Sequence, residues 1–534
     1  MATFLDLFGF ISVLLRAATL SLSSVAIGGV LFATLVNARK PLNRAGRRLL
    51  TICAAALAIG ELLSVSGSSA MLQATAALTI RELVGANFFA WGSAGFLAAL
   101  CLGFLAIRGR EASLLAQLCA ALILTCEVAT SHAAARLTDQ ALLIVFTALH
   151  QAATAAWIGG LPYLVLTLRT SSDALLIAQR FSRLSLFSVG ALLAAGAGLS
   201  YYYVGSPQAI YGTTYGLMVC AKLILFACVL TLGAINFRIV RELKTGTTAW
   251  TARIATIGEA EIGIGITVLL AAASLTSQAP GVDLTADRVT MPVITARMTP
   301  EVPRLRTPPL TAISPSTREA WKKQHPVAKD PNAIYFSAST YNPPNAGDIA
   351  WSEYNHHWAG LIVLLVGVLA ICSRFLGWKW ARHWPLAFTG LALFLLLRAD
   401  PEAWPLGPDG FWESFTVADV AQHRLFVVLI VLFAAFEWGV QTGRLKSRTA
   451  ALVFPAVCAA GGALLLTHTH STVNIQEELL AELSHLPIAL FAVTAGWARW
   501  LELRYPGENR RRAAYIWPVC FALIGVGLLL YREA

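Results

Sequence analysis

The chain has 534 residues, of which 57% are hydrophobic and only 13% are charged, with a net charge of +11 at pH 7. Soluble domains average about 45–50% apolar and about 25% charged residues, so this composition excludes an ordinary water-soluble globular protein. Apolar stretches long enough to cross a bilayer recur along the chain, without the alternation of a membrane β-barrel. The sequence therefore predicts an all-α, polytopic transmembrane bundle, because backbone polar groups in lipid must be paired within each segment.

Hydropathy predicts about fourteen membrane-spanning helices. Their predicted limits are 9–36, 48–66, 86–107, 112–128, 141–168, 184–203, 214–237, 255–277, 356–373, 384–398, 421–440, 450–468, 480–502 and 514–531. The first segment lacks the basic region that opens a signal peptide, so it is predicted to be a membrane span rather than a cleaved leader.

Short loops rich in Lys and Arg alternate with loops that are poor in them. The rich loops hold Arg39, Lys40, Arg44, Arg47 and Arg48, then Arg238, Arg241 and Lys244, then Arg444, Lys446 and Arg448, then Arg510 to Arg512. Basic loops face the cytoplasm, so we expect both termini in the periplasm of a bacterial inner (plasma) membrane protein. The same alternation argues against nucleic-acid binding, which would favour one basic patch.

Residues 278–355 interrupt the apolar pattern and contain 11 of the 22 prolines. They are predicted to form a Pro-rich periplasmic loop with little regular structure. This loop would separate an N-terminal eight-helix domain, residues 1–277, from a C-terminal six-helix domain, residues 356–534. The nine cysteines are scattered singly through the predicted spans, and no CxxC occurs, so neither a disulfide scaffold nor a zinc knuckle is indicated.

The histidines are distributed unevenly across the predicted membrane. Of the ten, His383 maps to the cytoplasmic side and His325 to the long loop. The others map to the outer side or the outer half of the membrane: His132, His150, His356, His357, His423, His468, His470 and His485. Histidine is the commonest metal-ligating side chain, so this asymmetry favours capture of a metal ion from outside. The alternative is that histidine, like Trp and Tyr, simply tolerates the interface.

The spacing of the histidines along the sequence indicates which of them could bind the same metal ion. His468 and His470 close the twelfth predicted span, and a new helix is predicted to begin near residue 475. On that helix Glu482 and His485 are three residues apart and share a face, so Glu482 is either a ligand or a group that orients the imidazole. Further candidates at the predicted outer surface are the adjacent pair His356 and His357, and His423. His150 is a candidate that lies deeper in the membrane.

Several ionisable residues fall within predicted spans, where they are costly unless they face the bundle interior or a polar path. These residues are Arg16, Glu61, Lys222, Glu259, Glu261 and Glu437. An ion pair between Arg16 and Glu61 is one simple explanation for the presence of those two.

Four stretches carry a family resemblance: "RFSRLS", "YGTTYG" followed by Lys222, "GAINF" with Asn236, and "EAEIGIGITVLLAAASLTSQAPG" with Glu261. Over about residues 141–281 the chain resembles the copper resistance protein D (CopD) family. The stretches "EYNHHWAG" and "HTHST" are similar to the C-terminal part of longer CopD-like proteins. The resemblance implies copper handling at the bacterial inner membrane together with a periplasmic copper-binding protein. Because no soluble copper-binding domain is fused to this chain, it implies a separate partner.

These observations together predict copper binding at the periplasmic face and passage of copper into or across the membrane. Imidazole suits Cu(II) and tolerates Cu(I), so either oxidation state is allowed. No nucleophile–base pair, phosphate loop or cofactor fingerprint is visible, and we do not predict an enzyme. Two alternatives stay open: a haem-binding redox protein, with two histidines on the iron, and a scaffold for assembly of a respiratory complex.

Overall fold

The computed structural model describes residues 2–76, 78–242, 249–309, 345–401, 403–408, 410–415, 418–466, 475–505 and 507–533. Within these residues every regular element is a helix. Twelve of the described helices are long and apolar enough to cross a membrane, and two shorter apolar helices accompany them. The shorter ones, Leu114–Ala129 and Ala450–Leu465, correspond to the fourth and twelfth predicted spans. The prediction of a polytopic all-α bundle is confirmed.

The chain forms two compact units. The first contains residues 1–290 with 466–471, and the second contains residues 291–465 with 472–534. The helices of the first unit are α1 (Ala2–Leu31), α2 (Arg44–Ala76), α3 (Ile80–Val84), α4 (Asn87–Ile107), α5 (Leu114–Ala129), α6 (His132–Ala135), α7 (Gln140–Thr154), α8 (Leu161–Leu168), α9 (Ala174–Tyr203), α10 (Pro207–Gly212), α11 (Thr214–Glu242) and α12 (Ala249–Leu275).

The second unit begins with a short helix in the segment that the sequence predicted to be a loop. Its helices are α13 (Met291–Met298), α14 (Ala346–Phe375), α15 (Ala387–Arg398), α16 (Phe411–Ser414), α17 (Ala418–Gln441), α18 (Val453–Leu465), α19 (Ile475–Arg504) and α20 (Gly507–Leu529). Helix α14 starts with a capping box in which the Asn345 side chain accepts from the backbone and Asp348 accepts from Asn345 N. Helix α19 begins at Ile475, where the sequence predicted a helix start.

A π-helical turn interrupts the long span between α7 and α8. The turn covers Ala155–Gly159, and all five of its residues are buried. It packs against α1, where a Cβ on Gly159 would lie only 1.9 Å from the Ser24 carbonyl oxygen. Only glycine allows this approach of two backbones. Such π-turns within α-helices occur frequently at functional sites.

Aromatic side chains fill the core of the second unit. Trp384, Phe454 and Trp517 are almost completely buried, with ring centroids 5.3 to 5.6 Å apart. The Trp517 indole donates a hydrogen bond of 2.8 Å to Glu502, a buried carboxylate that also pairs with Arg499 at 2.6 Å. This network lies at the C-terminal end of α19, whereas His485 lies in the N-terminal half of the same helix.

Candidate metal site

The close crossing of α14 and α20 brings histidine and tyrosine rings together in the second unit. A Cβ on Gly360 of α14 would lie 2.5 Å from Leu529 N of α20, so glycine is needed for the two backbones to approach. His356 lies one turn before Gly360, and Tyr531 lies two residues beyond Leu529. The crossing therefore places the His356 ring against the Tyr531 ring, with centroids 3.8 Å apart.

His485 of α19 completes a cluster of three rings. Its centroid lies 6.2 Å from that of His356 and 6.0 Å from that of Tyr531. Two imidazoles that share one metal ion at metal–nitrogen distances of about 2 Å have centroids about 5 to 6 Å apart. The two histidines, which are separated by more than one hundred residues in sequence, thus lie at a distance that a shared metal ion can bridge.

His356 and His485 each make an equivalent hydrogen bond, and this bond fixes the tautomer of the ring. His356 Nδ1 lies 2.8 Å from the Ser352 carbonyl oxygen, and His485 Nδ1 lies 2.9 Å from the Ala481 carbonyl oxygen. A carbonyl oxygen only accepts hydrogen bonds, so each Nδ1 carries a proton. In the neutral ring the lone pair is then on Nε2, which is the arrangement found in metal-ligating histidines.

His357, next in sequence to His356, is bound differently. Its Nδ1 accepts a 2.7 Å hydrogen bond from Arg304 N, and its Nε2 donates to the Tyr531 carbonyl oxygen at 2.8 Å. Both ring nitrogens of this buried residue are therefore engaged within the protein. The divergence of adjacent residues by about 100° around the helix gives the two histidines these different surroundings.

Residues 291–307, called the cap segment below, pack against the part of the second unit that carries the ring cluster. Arg304 forms a 3.1 Å ion pair with Glu353, and the Trp358 indole donates to the Leu305 carbonyl at 3.0 Å. The guanidinium of Arg532 donates to the Ala296 carbonyl at 2.9 Å. Part of the segment that the sequence treated as irregular is thus fastened to the candidate site.

An acidic residue beside the cluster is held ionised. Glu533 accepts a 2.8 Å hydrogen bond from the Tyr531 hydroxyl and another from the Ser352 hydroxyl. Burial by itself raises the pKa of the Glu533 carboxyl, but the two donated hydrogen bonds help to outweigh it and hold that pKa below its usual value. Burial raises the pKa of the Tyr531 phenol, which therefore stays neutral and able to donate.

The other predicted ligands from the C-terminal half of the sequence divide into three cases. Glu482 is buried on α19, three residues before His485. His423 lies at the start of α17, where its Nδ1 is 2.8 Å from an Asp400 carboxylate oxygen. His468 and His470 fall outside the described residues. Within the described part of the chain, no group of three or more His, Cys, Asp or Glu side chains is arranged to hold a metal ion.

The first unit contains the last predicted ligand, His150, in a cavity of about 450 Å³. This cavity is also lined by Lys222, Gln151 and Tyr215, and His150 Nδ1 is buried without a hydrogen-bond partner among the described residues. A buried, unpartnered polar atom is uncommon and marks the cavity as a polar site inside an apolar bundle.

Arg16, another residue on the wall of that cavity, has a partner that the sequence did not indicate. Its ion pair, 2.7 Å long, is with Glu127 of α5 rather than with Glu61. Tyr531 was also missed as a member of the histidine cluster. Neither relationship leaves a signal in sequence spacing, because each joins helices that are distant along the chain.

Comparisons with known proteins agree with the resemblance described above. Residues 175–275, which include most of α9 and all of α10 to α12, match the family model for copper resistance protein D. A curated relative, the copper transport protein CutJ of Bacillus subtilis (strain 168), is 33% identical over 162 residues. The match covers 29% of this chain and 28% of that relative, so less than a third of the relative's length is spanned. No solved structure matches the chain.

The helices, the polar cavity and the buried charges define a polytopic α-helical membrane protein. Lys222, Asn236 and Glu261 all fall within the matched residues 175–275. Over residues 175–275 the chain matches the copper resistance protein D family, as the sequence resemblance predicted.

Proposed function

We propose that this protein binds copper at the periplasmic face of the bacterial inner membrane and passes it into or across the bilayer. The match of residues 175–275 to the copper resistance protein D family and the similarity to a copper transport protein support a role in copper resistance or transport. The role is that of a carrier rather than an enzyme, and copper is its cargo. A separate periplasmic copper-binding protein delivers or receives the ion.

The observation that carries the binding proposal is the pair His356 and His485. Their ring centroids lie at a distance that one metal ion can bridge, and in both rings Nδ1 donates to a backbone carbonyl of the same helix, so the lone pair of the neutral ring is on Nε2. Two imidazoles in line suit Cu(I), and further nitrogen ligands extend the set for Cu(II). From sequence spacing alone we also propose His468 and His470 as ligands of copper; both fall outside the described residues. Glu482 then orients His485 or completes the set.

Copper retention by purified variants tests this assignment. We expect His356→Ala or His485→Ala each to lose most of the copper that elemental analysis finds in the wild-type protein. The double variant should lose little more, because ligands that share one ion are not additive. His470→Ala should behave like His485→Ala. Glu482→Gln should weaken binding by about 10- to 100-fold if Glu482 only orients its neighbour.

Two histidine variants serve as controls. His383 accepts a 2.7 Å hydrogen bond from the Trp438 indole and lies on the predicted cytoplasmic side, so His383→Ala should keep its copper. His357→Ala should also keep copper while losing stability, because Arg304 N and the Tyr531 carbonyl are left unpaired. Unchanged copper content in folded His356→Ala and His485→Ala protein would remove both residues from the site.

The same preparation tests the haem alternative. Two axial histidines on an iron also have centroids about 6 Å apart, so the distance by itself does not distinguish haem from copper. A stoichiometric haem absorption spectrum without copper would favour the redox protein. Copper without a haem spectrum would favour the carrier.

A further inference from the structure

The first unit contains a second cavity besides the one that holds His150. Its volume is about 220 Å³, and α8, α9, α11 and α12 supply most of its walls. Trp157 lines both cavities. This residue belongs to the buried π-helical turn, so an irregular backbone positions an aromatic side chain that the two cavities share.

Glu261 of α12 lies in the wall of this second cavity. The residue is 1% exposed, and its carboxylate accepts a hydrogen bond from the Asn236 amide of α11. A Cβ on Gly233 would lie 3.6 Å from Glu261 Oε2 and 3.3 Å from the Trp157 ring, so the carboxyl and the indole flank the same glycine. The absence of a side chain at Gly233 keeps this point open.

No described charged group compensates Glu261. Among the described residues that line the cavity, Glu261 is the only acidic or basic side chain, although α8, α9 and α11 all contribute to the wall. On its own helix, Glu259 is paired with Arg169 at 2.8 Å. Because an isolated ionised carboxylate is very costly in a low-dielectric interior, Glu261 must be neutralised by something that enters the cavity.

Two more buried oxygen atoms belong to residues that line the same cavity. Asn236 Oδ1 and Ser185 Oγ have no hydrogen-bond partner among the described residues. Oxygen ligands do not suit Cu(I), which prefers sulfur and nitrogen. Calcium takes six to eight oxygen ligands, which is more than the described oxygen-bearing side chains of this wall, Ser182, Ser185, Asn236 and Glu261, provide. A proton needs a single oxygen.

We propose that Glu261 is a proton-exchange site. Its carboxylate takes a proton from water that enters the cavity, becomes a neutral carboxylic acid, and returns the proton to water when the charged form is again stabilised. Asn236 donates to the carboxyl in both states, and Asn236 Oδ1 and Ser185 Oγ hydrogen-bond the incoming water. Coupling of this exchange to movement of the cargo rests on the proposed transport function, whereas the exchange itself does not.

Infrared spectroscopy of the purified protein tests the exchange without any use of copper. We expect the wild-type spectrum to contain a carboxylic acid band that shifts in D2O and is absent from Glu261→Gln. Glu259→Gln is the matched control, since it makes the same substitution two residues away on the same helix, and it should keep the band. A wild-type band that does not shift in D2O, or a Glu261→Gln spectrum identical to the wild type, would overturn the proposal.

A more conservative variant tests the assignment if Glu261→Gln does not fold. Glu261→Asp keeps a carboxyl but withdraws it by one methylene from Asn236, so its acid band should be displaced from the wild-type position. A band at the wild-type frequency in folded Glu261→Asp protein would assign the signal to another carboxyl and reject Glu261.

Discussion

The neighbours His356 and His357 have the same side chain and opposite surroundings. His357 uses both ring nitrogens in hydrogen bonds to the cap segment and to the chain after α20, whereas the hydrogen bond of His356 to a carbonyl of its own helix involves Nδ1. A hydrogen bond at Nδ1 decides whether Nε2 is a donor or a potential ligand. The chemical difference between the two residues therefore depends on their partners.

Glu533 makes stability near this cluster depend on pH. Its pKa is lower in the folded protein than its ordinary value of about 4.3 in an unfolded chain. The ionised carboxylate therefore stabilises the fold above that ordinary value, and this stabilisation is lost as pH falls through the lower folded-state pKa. We expect Glu533→Gln to lower the melting temperature at pH 7 and the difference from wild type to disappear in acid.

The control for Glu533 is another glutamate that contacts the same end of the chain. Glu301 forms a 2.7 Å ion pair with Arg532 and its side chain is 60% exposed. Exposed pairs contribute about 0–1 kcal/mol, so Glu301→Gln should change the melting temperature little at any pH. A Glu533→Gln difference that is the same at pH 7 and in acid would contradict the assignment of an ionised, hydrogen-bonded carboxylate.

At the scale of helices, the α14–α20 crossing determines whether the site forms. We expect Gly360→Ala to destabilise the protein by about 1–3 kcal/mol, because the added methyl meets the backbone of α20, which cannot move aside as a flexible side chain would. The same change should reduce copper retention, since it separates His356 from Tyr531 and His485. Thermal unfolding and elemental analysis measure the two effects.

Gly390 in α15 provides the matched control for Gly360. A Cβ at Gly390 has no heavy atom within 4 Å, so Gly390→Ala should stabilise the helix by up to about 1 kcal/mol and leave copper unchanged. Equal effects of the two substitutions would show that loss of helical glycine, rather than the close crossing, is responsible.

For the whole molecule, the alternation of basic loops predicts the orientation in the membrane. We expect a reporter inserted within residues 310–344 to lie in the periplasm, and a reporter inserted near Arg444 to lie in the cytoplasm. A third insertion near Arg39 should agree with the one near Arg444. If the loop and Arg444 reported the same side, the outer location of the histidines would be rejected, and the periplasmic copper site with it.

The sequence by itself determined the membrane class, the approximate helices and the family resemblance of one segment. These are local properties, because lipid forces each apolar stretch to pair its own backbone as a helix, and the family motifs lie within one continuous segment. The start of α19 near residue 475 followed from the same local reasoning.

Only the tertiary structure decided which polar residues meet. It placed His485 beside His356, paired Arg16 with Glu127, and set Glu261 and Trp157 in the wall of one cavity. It also gave His356 and His357 different hydrogen bonds, although they are adjacent in sequence. Helix periodicity gives the direction of a side chain around its own axis, but the identity of the facing helix depends on packing between segments far apart in the chain. Metal binding and proton exchange both depend on that packing.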